Sequence, residues 1–302
     1  MREYLKAFFD EFEYSKRERL TLSLAYEKIA ESGEGCDLFV SVIAGYDRDP
    51  KSLTDACYES IKKIAELSGV HLYTVLLLAL ICMTRKLRER LLKLELTKKN
   101  VFLTLSDLKY KMWECERVYG TVGTDKWQWY AKLFMPNVFA MGRLQFEIAL
   151  YQGKKYEIDG KRLDTGSPVI KVHIPASGEP LLDRLASSSY REAKKFFGKL
   201  FPTSAVPFMC SSWLLSPINR EILDEKSNIV KFSSRYGITE VVESKSDGSL
   251  YPWIFGMPED TPIERLPRDT RLRAGYAAIL ERGERTSIGT GIFFLDDPKP
   301  KE

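Results

Sequence analysis

The spacing of apolar residues changes near Phe139. Before that point it is helical. Tyr4, Leu5, Phe8, Phe9 and Phe12, then Leu20, Leu22, Leu24, Ala25 and Ile29, predict one or two helices over residues 1–31, and Gly33 and Gly35 break the pattern. Pro50 with Ser52 or Thr54 opens another helix, which carries Ala56, Ile61, Ile64, Ala65 and Leu67 and closes at Gly69. Residues 71–94 predict a long helix, apolar first and then basic (Arg85, Lys86, Arg88, Arg90), with cations at the end that favours them. Helices over 101–118 and 126–134 complete an all-helical stretch, residues 1–136.

From Met141 the period falls to two. Arg143, Gln145 and Glu147 share one face and Leu144, Phe146 and Ile148 the other, as in a half-buried strand. Gly153 turns the chain into a second extended segment, 154–158. Residues 168–215 read as strand, loop, helix, strand. The β-branched run 169–174 is stopped by Pro175, and residues 176–180 are turn chemistry in which Gly178 is free to take positive φ. Leu181, Leu185, Ala193, Phe196, Phe197 and Leu200 predict a helix ended by Pro202, and residues 205–215 a buried strand. A short loop between a strand and a helix N-terminus is a natural seat for a phosphate. Further on, Pro217 starts a short helix and Ser227 caps another that ends at Gly237. Residues 238–242 and 250–255 are expected to pair as a hairpin through Ser246-Asp-Gly-Ser249. A helix from Leu266-Pro-Arg-Asp-Thr270 to Gly283 and a strand over 288–295 follow. The prediction is an α+β chain: a helical N-terminal region, 1–137, and a mixed β-sheet flanked by helices, 138–302.

Composition narrows the function classes. Over 302 residues, 44% hydrophobic and 29% charged content is that of an ordinary globular protein. The net charge of +4 is spread without a Lys/Arg block, so nothing supports a nucleic-acid partner. The apolar run 75–83 falls short of the about 20 residues that cross a bilayer, so it is expected to be a buried core helix and no membrane partner is expected. The N-terminus is amphipathic and lacks the apolar core of a signal peptide. The five cysteines (Cys36, Cys57, Cys82, Cys115, Cys210) are scattered without a CxxC pair, which points to reduced thiols in a cytoplasmic protein. With only His71 and His173, a His-rich metal site cannot be built, and no metal is expected.

Gly142-Arg-Leu-Gln-Phe-Glu147, Val172-His-Ile-Pro175, Phe196-Phe197 before Phe201-Pro202, Cys210 with Ser212-Trp-Leu-Leu215 and Pro217, Ser227-Asn-Ile229, and Leu266-Pro with Asp269-Thr270 occur in that order. In this the chain resembles a bacterial family of acyltransferase-domain proteins, with a helical N-terminal part and a GNAT-like C-terminal part. The resemblance covers nearly the whole chain, most strongly residues 139–295. It implies transfer of an acyl group from acyl-CoA or acetyl-CoA to an amine on a small-molecule or peptide acceptor. It also implies that the central strand, 169–174, splays from 208–214 and that acyl-CoA lies in the gap. The backbone of Val172 and Ile174 would then polarise the thioester, Ser177 and Gly178 would cradle the pyrophosphate, Trp213 would wall the pocket, and Tyr236 would act as general acid to the leaving thiolate. One departure weighs against CoA: the usual Arg/Gln-x-x-Gly-x-Gly/Ala phosphate loop is absent. Its place is taken by Pro175-Ala-Ser-Gly-Glu-Pro180, whose Glu179 repels a pyrophosphate unless it points away.

The residues themselves offer two bases. His173, near the end of the central strand, can take a proton from an amine as a neutral imidazole; its bland alternative is a hydrogen bond that fixes the Pro175 loop. Glu147 can do the same as a carboxylate; its alternative is an ion pair with Arg143, worth at most about 1 kcal/mol if exposed. Cys210 with His173 would make a thiol nucleophile, against the usual buried, inert cysteine. Tyr236 is otherwise an ordinary helix-end tyrosine, and the basic cluster 85–90 either meets an adenosine 3′-phosphate or is a solvated helix face. The leading reading is an acyl-CoA-dependent N-acyltransferase. Behind it stands a non-catalytic scaffold binding a small molecule or peptide in the same cleft, and a cysteine hydrolase is third.

Overall fold

A computed structural model of the protein describes residues 1–158, 160–201 and 205–296. The backbone divides into two units, Met1–Phe139 and Ala140–Glu302.

The first unit is helical: α1 (Arg2–Glu11), α2 (Lys16–Glu31), α3 (Glu34–Arg48), α4 (Asp55–Ser68), α5 (Leu72–Lys93), α6 (Lys98–Leu105), α7 (Asp107–Tyr119) and α8 (Trp127–Leu133). A helix apolar on every side is stable only when it is surrounded. Accordingly α5, whose residues from Thr74 to Thr84 are all buried, lies among α1, α2, α3, α4, α6 and α7. Thr54 caps α4 as the sequence suggests, its hydroxyl accepting from the Cys57 amide. Helix α3 occupies ground where glycines seemed to break the pattern. Gly35 lies inside it because α3 runs so close to Ser32 and Leu67 that a Cβ there would collide with both. The helix expected over 101–118 is two, parted at Ser106, whose hydroxyl donates to the Phe102 carbonyl at 2.8 Å. Among the described residues no single helix is long and apolar enough to cross a membrane; α4 and α5 pass together by length and composition but bend by 118°.

The second unit carries a six-stranded sheet in the order β1-β2-β5-β6-β8-β7. The alternating stretch near Met141 is two strands, β1 (Val138–Met141) and β2 (Leu144–Leu150). Gly142 between them has φ +62°, and a Cβ there would press on Ser189 Oγ. β3 (Tyr156–Ile158) and β4 (Lys161–Leu163) form a separate hairpin. β5 (Pro168–His173) leads through a loop to α9 (Asp183–Phe197), which ends at a 3-10 turn, Gly198–Leu200; Pro202, expected to stop the helix, lies outside the described residues. β6 (Val206–Ser212), α10 (Ile218–Ile222), α11 (Asn228–Ser233), β7 (Gly237–Glu243), α12 (Tyr251–Ile254), α13 (Arg271–Glu281) and β8 (Ser287–Leu295) complete it.

The predicted hairpin between 238–242 and 250–255 does not form. β7 pairs with β8 instead, from Gly237↔Ile292 to Glu243↔Ser287. The Ser-Asp-Gly-Ser signal is a 3-10 turn leading into α12, whose Tyr251 and Ile254 are buried with Phe255 in a cluster around Tyr276. Tertiary burial here overrides a local turn signal.

The faces of the sheet are filled differently. On one, Tyr190 of α9 meets Phe146, Phe208 and Phe293 edge-on, with ring centroids 5.9, 5.1 and 4.9 Å away. On the other, Tyr151 and Leu163 cover Val169 and Ile292.

β5 and β6 are parallel, and among the described residues they pair only at Ile170↔Phe208 and Lys171↔Met209. Each continues beyond that point on its outer side: β5 stays paired with β2 through Gln145↔His173, and β6 with β8 through Ser212↔Gly289. Two strands that remain regular while parting from each other form a wedge, open at their carboxyl ends. Those ends are where a parallel sheet offers a ligand crevice.

β8 pairs with the far side of β6 and runs close to the turn that follows it. A Cβ on Gly289 would overlap the backbone carbonyl of Leu215. Gly289→Ala is expected to cost about 1–3 kcal/mol of stability, the usual cost of overpacking, read as a lower urea midpoint with the slope unchanged.

Candidate active site

The polar face of β2 is buried. Arg143, Gln145 and Glu147 are 8%, 2% and 4% exposed, so this face is not the solvent-facing one its alternation suggests. Buried charges must find partners. Gln145 lies opposite His173 across the antiparallel pair, which puts Glu147 one step along on the same face. His173 Nε2 and Glu147 Oε2 are 2.9 Å apart. A carboxylate only accepts, so the imidazole donates from Nε2 and its neutral tautomer carries the lone pair on Nδ1. The His173 side chain is 27% exposed and that of Glu147 5%, so one end of the pair is open and the other anchored. The pair stands at the end of β5, where the wedge opens.

Glu147 is thus matched to His173, and Arg143 reaches the loop that follows β5. Its Nε donates to the Glu179 carbonyl at 2.9 Å and its Nη1 to the Pro175 carbonyl at 2.8 Å. Its own amide donates to Ser189 Oγ at 2.8 Å. One buried guanidinium therefore ties together the start of β2 and both ends of the loop between β5 and α9. In that loop Gly178 takes φ +78° in open space, Ser177 Oγ accepts from the Glu179 amide at 3.3 Å, and the Glu179 side chain is exposed. The α9 N-cap is Leu182, which has no side-chain acceptor for the first amides of the helix. Arg235 lies at that first turn, donating to the Asp183 carbonyl at 3.0 Å and to Ser187 Oγ at 2.8 Å and pairing with the Asp183 carboxylate.

The other predicted residues fall as follows. Val172 is opposite Phe146 and buried on the α9 face, and Ile174 follows the last residue of β5. Both lie beyond the last pairing with β6, along the wedge. Trp213 lies in the turn after β6 and packs against Tyr276, with ring centroids 6.3 Å apart, and its carbonyl accepts from Asn219. Tyr236 is on the α9 face, away from the dyad: its hydroxyl is 2.5 Å from that of Tyr190. Burial holds both tyrosines well above their usual range. Cys210 is buried and its thiol is pushed up to about 12, again by burial. Along β6, Cys210 shares its face with Phe208 and along β5 Val172 shares it with Ile170, whereas His173 points to the opposite face. The Cys210–His173 nucleophile pair is therefore excluded.

Sequence reasoning missed the loop-tying role of Arg143 and the Tyr190–Tyr236 contact. An arginine directly after a turn glycine, on a strand face whose other polar residues have no obvious partner, was a signal for the first. Nothing local marked the second, which joins residues 46 positions apart. Among the described residues no group of three His, Cys, Asp or Glu could hold a metal.

Comparison with known proteins agrees with this fold. Residues 138–293 match the family described as the GNAT-like C-terminal domain, and residues 7–135 the N-acyltransferase N-terminal domain. The chain belongs to this GNAT-like acyltransferase family. Among solved structures, a mutant acyltransferase in complex with octanoyl-CoA is 21% identical at a TM-score of 0.71, over 97% of this chain and 88% of that one. An acyltransferase in complex with decanoyl-CoA and teicoplanin is 21% identical at a TM-score of 0.65, over 96% of this chain and 99% of that one. No curated protein matches.

A buried thiol this hard to ionise is inert. Iodoacetamide at neutral pH is expected to leave Cys210 unmodified in the native protein and to alkylate it only after denaturation, read by peptide mass spectrometry. Labelling of Cys210 in the native state would mean that the α9 face opens.

Proposed function

We propose that this protein transfers an acyl group from acyl-CoA to an amine, with His173 as the base and Glu147 positioning it. The observation that carries the reading is the 2.9 Å contact between these two side chains at the mouth of the β5/β6 wedge. The amine nitrogen attacks the thioester carbonyl, a C–N bond forms and the C–S bond breaks. His173 Nδ1 takes the proton lost by the amine, and the sulfur leaves as thiolate and takes up a proton from solvent, the imidazolium returning its own to solvent for the next turnover. Glu147, hydrogen-bonded to Nε2, holds the ring and balances the imidazolium that forms. The backbone of Val172 and Ile174, which meets no strand on the wedge side, serves the thioester oxygen. Tyr236 keeps its proton because burial raises it so far, so it is not the acid that protonates the thiolate.

Two lines support acyl-CoA as donor. The solved acyltransferases of the same fold are bound to octanoyl-CoA, decanoyl-CoA or CoA. Glu179 is held through its backbone carbonyl and its side chain is exposed, so the carboxylate is not fixed by burial over the loop. Two of those structures also hold teicoplanin or 10C-teicoplanin, which favours a small-molecule or peptide acceptor of some size. The free cysteines suit the cytoplasm, where CoA thioesters are available.

Thermal melting with and without millimolar acyl-CoA is the first test; a ligand at a hundredfold excess over its Kd stabilises by about 2.7 kcal/mol. His173→Ala is expected to keep that shift and to lose about 10²- to 10⁴-fold in kcat, measured by thiol release with an amine acceptor. Glu147→Gln keeps a hydrogen-bonding group without the charge; its kcat is expected to fall about 10- to 100-fold with the acyl-CoA KM unchanged. A melt that no acyl-CoA moves would remove the donor. A shift with no turnover, indifferent to His173, would favour a binding scaffold.

A further inference from the structure

The loop between β5 and α9 lacks the glycines that let a backbone approach a pyrophosphate, yet one buried side chain holds it from both ends. We propose that Arg143 is the positioning residue of the donor loop: by binding the Pro175 and Glu179 carbonyls it shapes the backbone for the phosphate end of the donor. This rests on the acyl-CoA reading above.

The argument is geometric. A trans peptide is planar, with its C=O and N–H pointing in opposite directions. Once the Pro175 carbonyl is turned onto the guanidinium at 2.8 Å, the Ala176 N–H must face away from Arg143. The Glu179 carbonyl, held at 2.9 Å, belongs to a peptide whose nitrogen is Pro180 and has no N–H, so the second anchor uses up no donor. Between the anchors Gly178 takes a left-handed turn at φ +78°. The segment 176–178 is thus drawn into a short arch with its ends on one cation. Arginine suits this better than lysine, because its planar fork can serve two carbonyls at fixed separation and it stays charged when buried. The anchor is itself fixed, since the Arg143 amide is bound by Ser189 Oγ, which donates in turn to the Leu185 carbonyl in the first turns of α9. Strand β2, the loop and α9 are in this way set against one another by a single residue.

The test compares two donors on the intact protein: acyl-CoA, and acyl-pantetheine, which has the same thioester without pyrophosphate or nucleotide. Arg143→Lys keeps a cation but cannot bridge both carbonyls. Its KM for acyl-CoA is expected to rise about tenfold, the worth of one charge-assisted hydrogen bond, with kcat and all acyl-pantetheine constants unchanged. Gly178→Ala strains the arch without touching Arg143, and is expected to show the same selective loss should Arg143→Lys fail to fold. An equal loss on both donors, or none on either, would overturn the proposal while leaving the acyl-CoA reading in place. Wild-type protein that does not prefer acyl-CoA to acyl-pantetheine would overturn both.

Discussion

The structure turns on how briefly β5 and β6 are paired. Among the described residues two pairs join them, and beyond Lys171 and Met209 each strand stays paired with its outer neighbour. Backbone N–H and C=O groups inside a protein are nearly always satisfied, so a sheet that parts while its strands stay straight leaves donors and acceptors for something other than the protein. The parting also decides where everything else lies. His173 is the last residue of β5, the loop that follows leads straight to α9, and Arg143 directly precedes the strand paired with β5 at that same end. Had β5 and β6 stayed paired to their ends, the dyad would face a closed sheet.

The second constraint is electrostatic. A strand face that carries Arg143, Gln145 and Glu147 would be unremarkable in water, but here it is buried, and an unpaired buried charge costs several kcal/mol. Each charge has therefore been given a specific geometry. Glu147 is matched to an imidazole across the ladder and Arg143 to two carbonyls of a loop. Burial converts what would be mobile surface side chains into fixed ones, which is what a base and a loop anchor both require.

How much of this was legible in the sequence follows from which contacts are local. The long apolar helix, the Thr54 and Thr270 caps, the run that became β5 and the loop–helix after it depend on neighbours within a few residues, and all were readable. The 238–255 hairpin failed because β7 chooses a partner some fifty residues on, against a local turn signal. Glu147 and His173 could each be singled out by type and place. Their contact could not, because it depends on the register that sets Gln145 opposite His173, and a one-residue slip would have put them on opposite faces. The burial of the β2 polar face was hidden for a similar reason: alternation tells which residues share a face, not what covers it.

The two faces of the wedge divide the proton chemistry between them. On the α9 side stand Tyr190 and Tyr236, hydroxyl to hydroxyl, and Cys210, three weak acids all made weaker by burial. None of them can release a proton near neutrality, so that side can donate hydrogen bonds but cannot carry a proton away. On the opposite side, the Glu147–His173 pair is half open, with a ring nitrogen that can accept a proton and a carboxylate that holds the ring. A reaction in the wedge that must remove a proton from an amine therefore has one place to put it. That asymmetry, rather than the presence of any one residue, is the reason to read His173 as the base and Tyr236 as a donor that stays protonated.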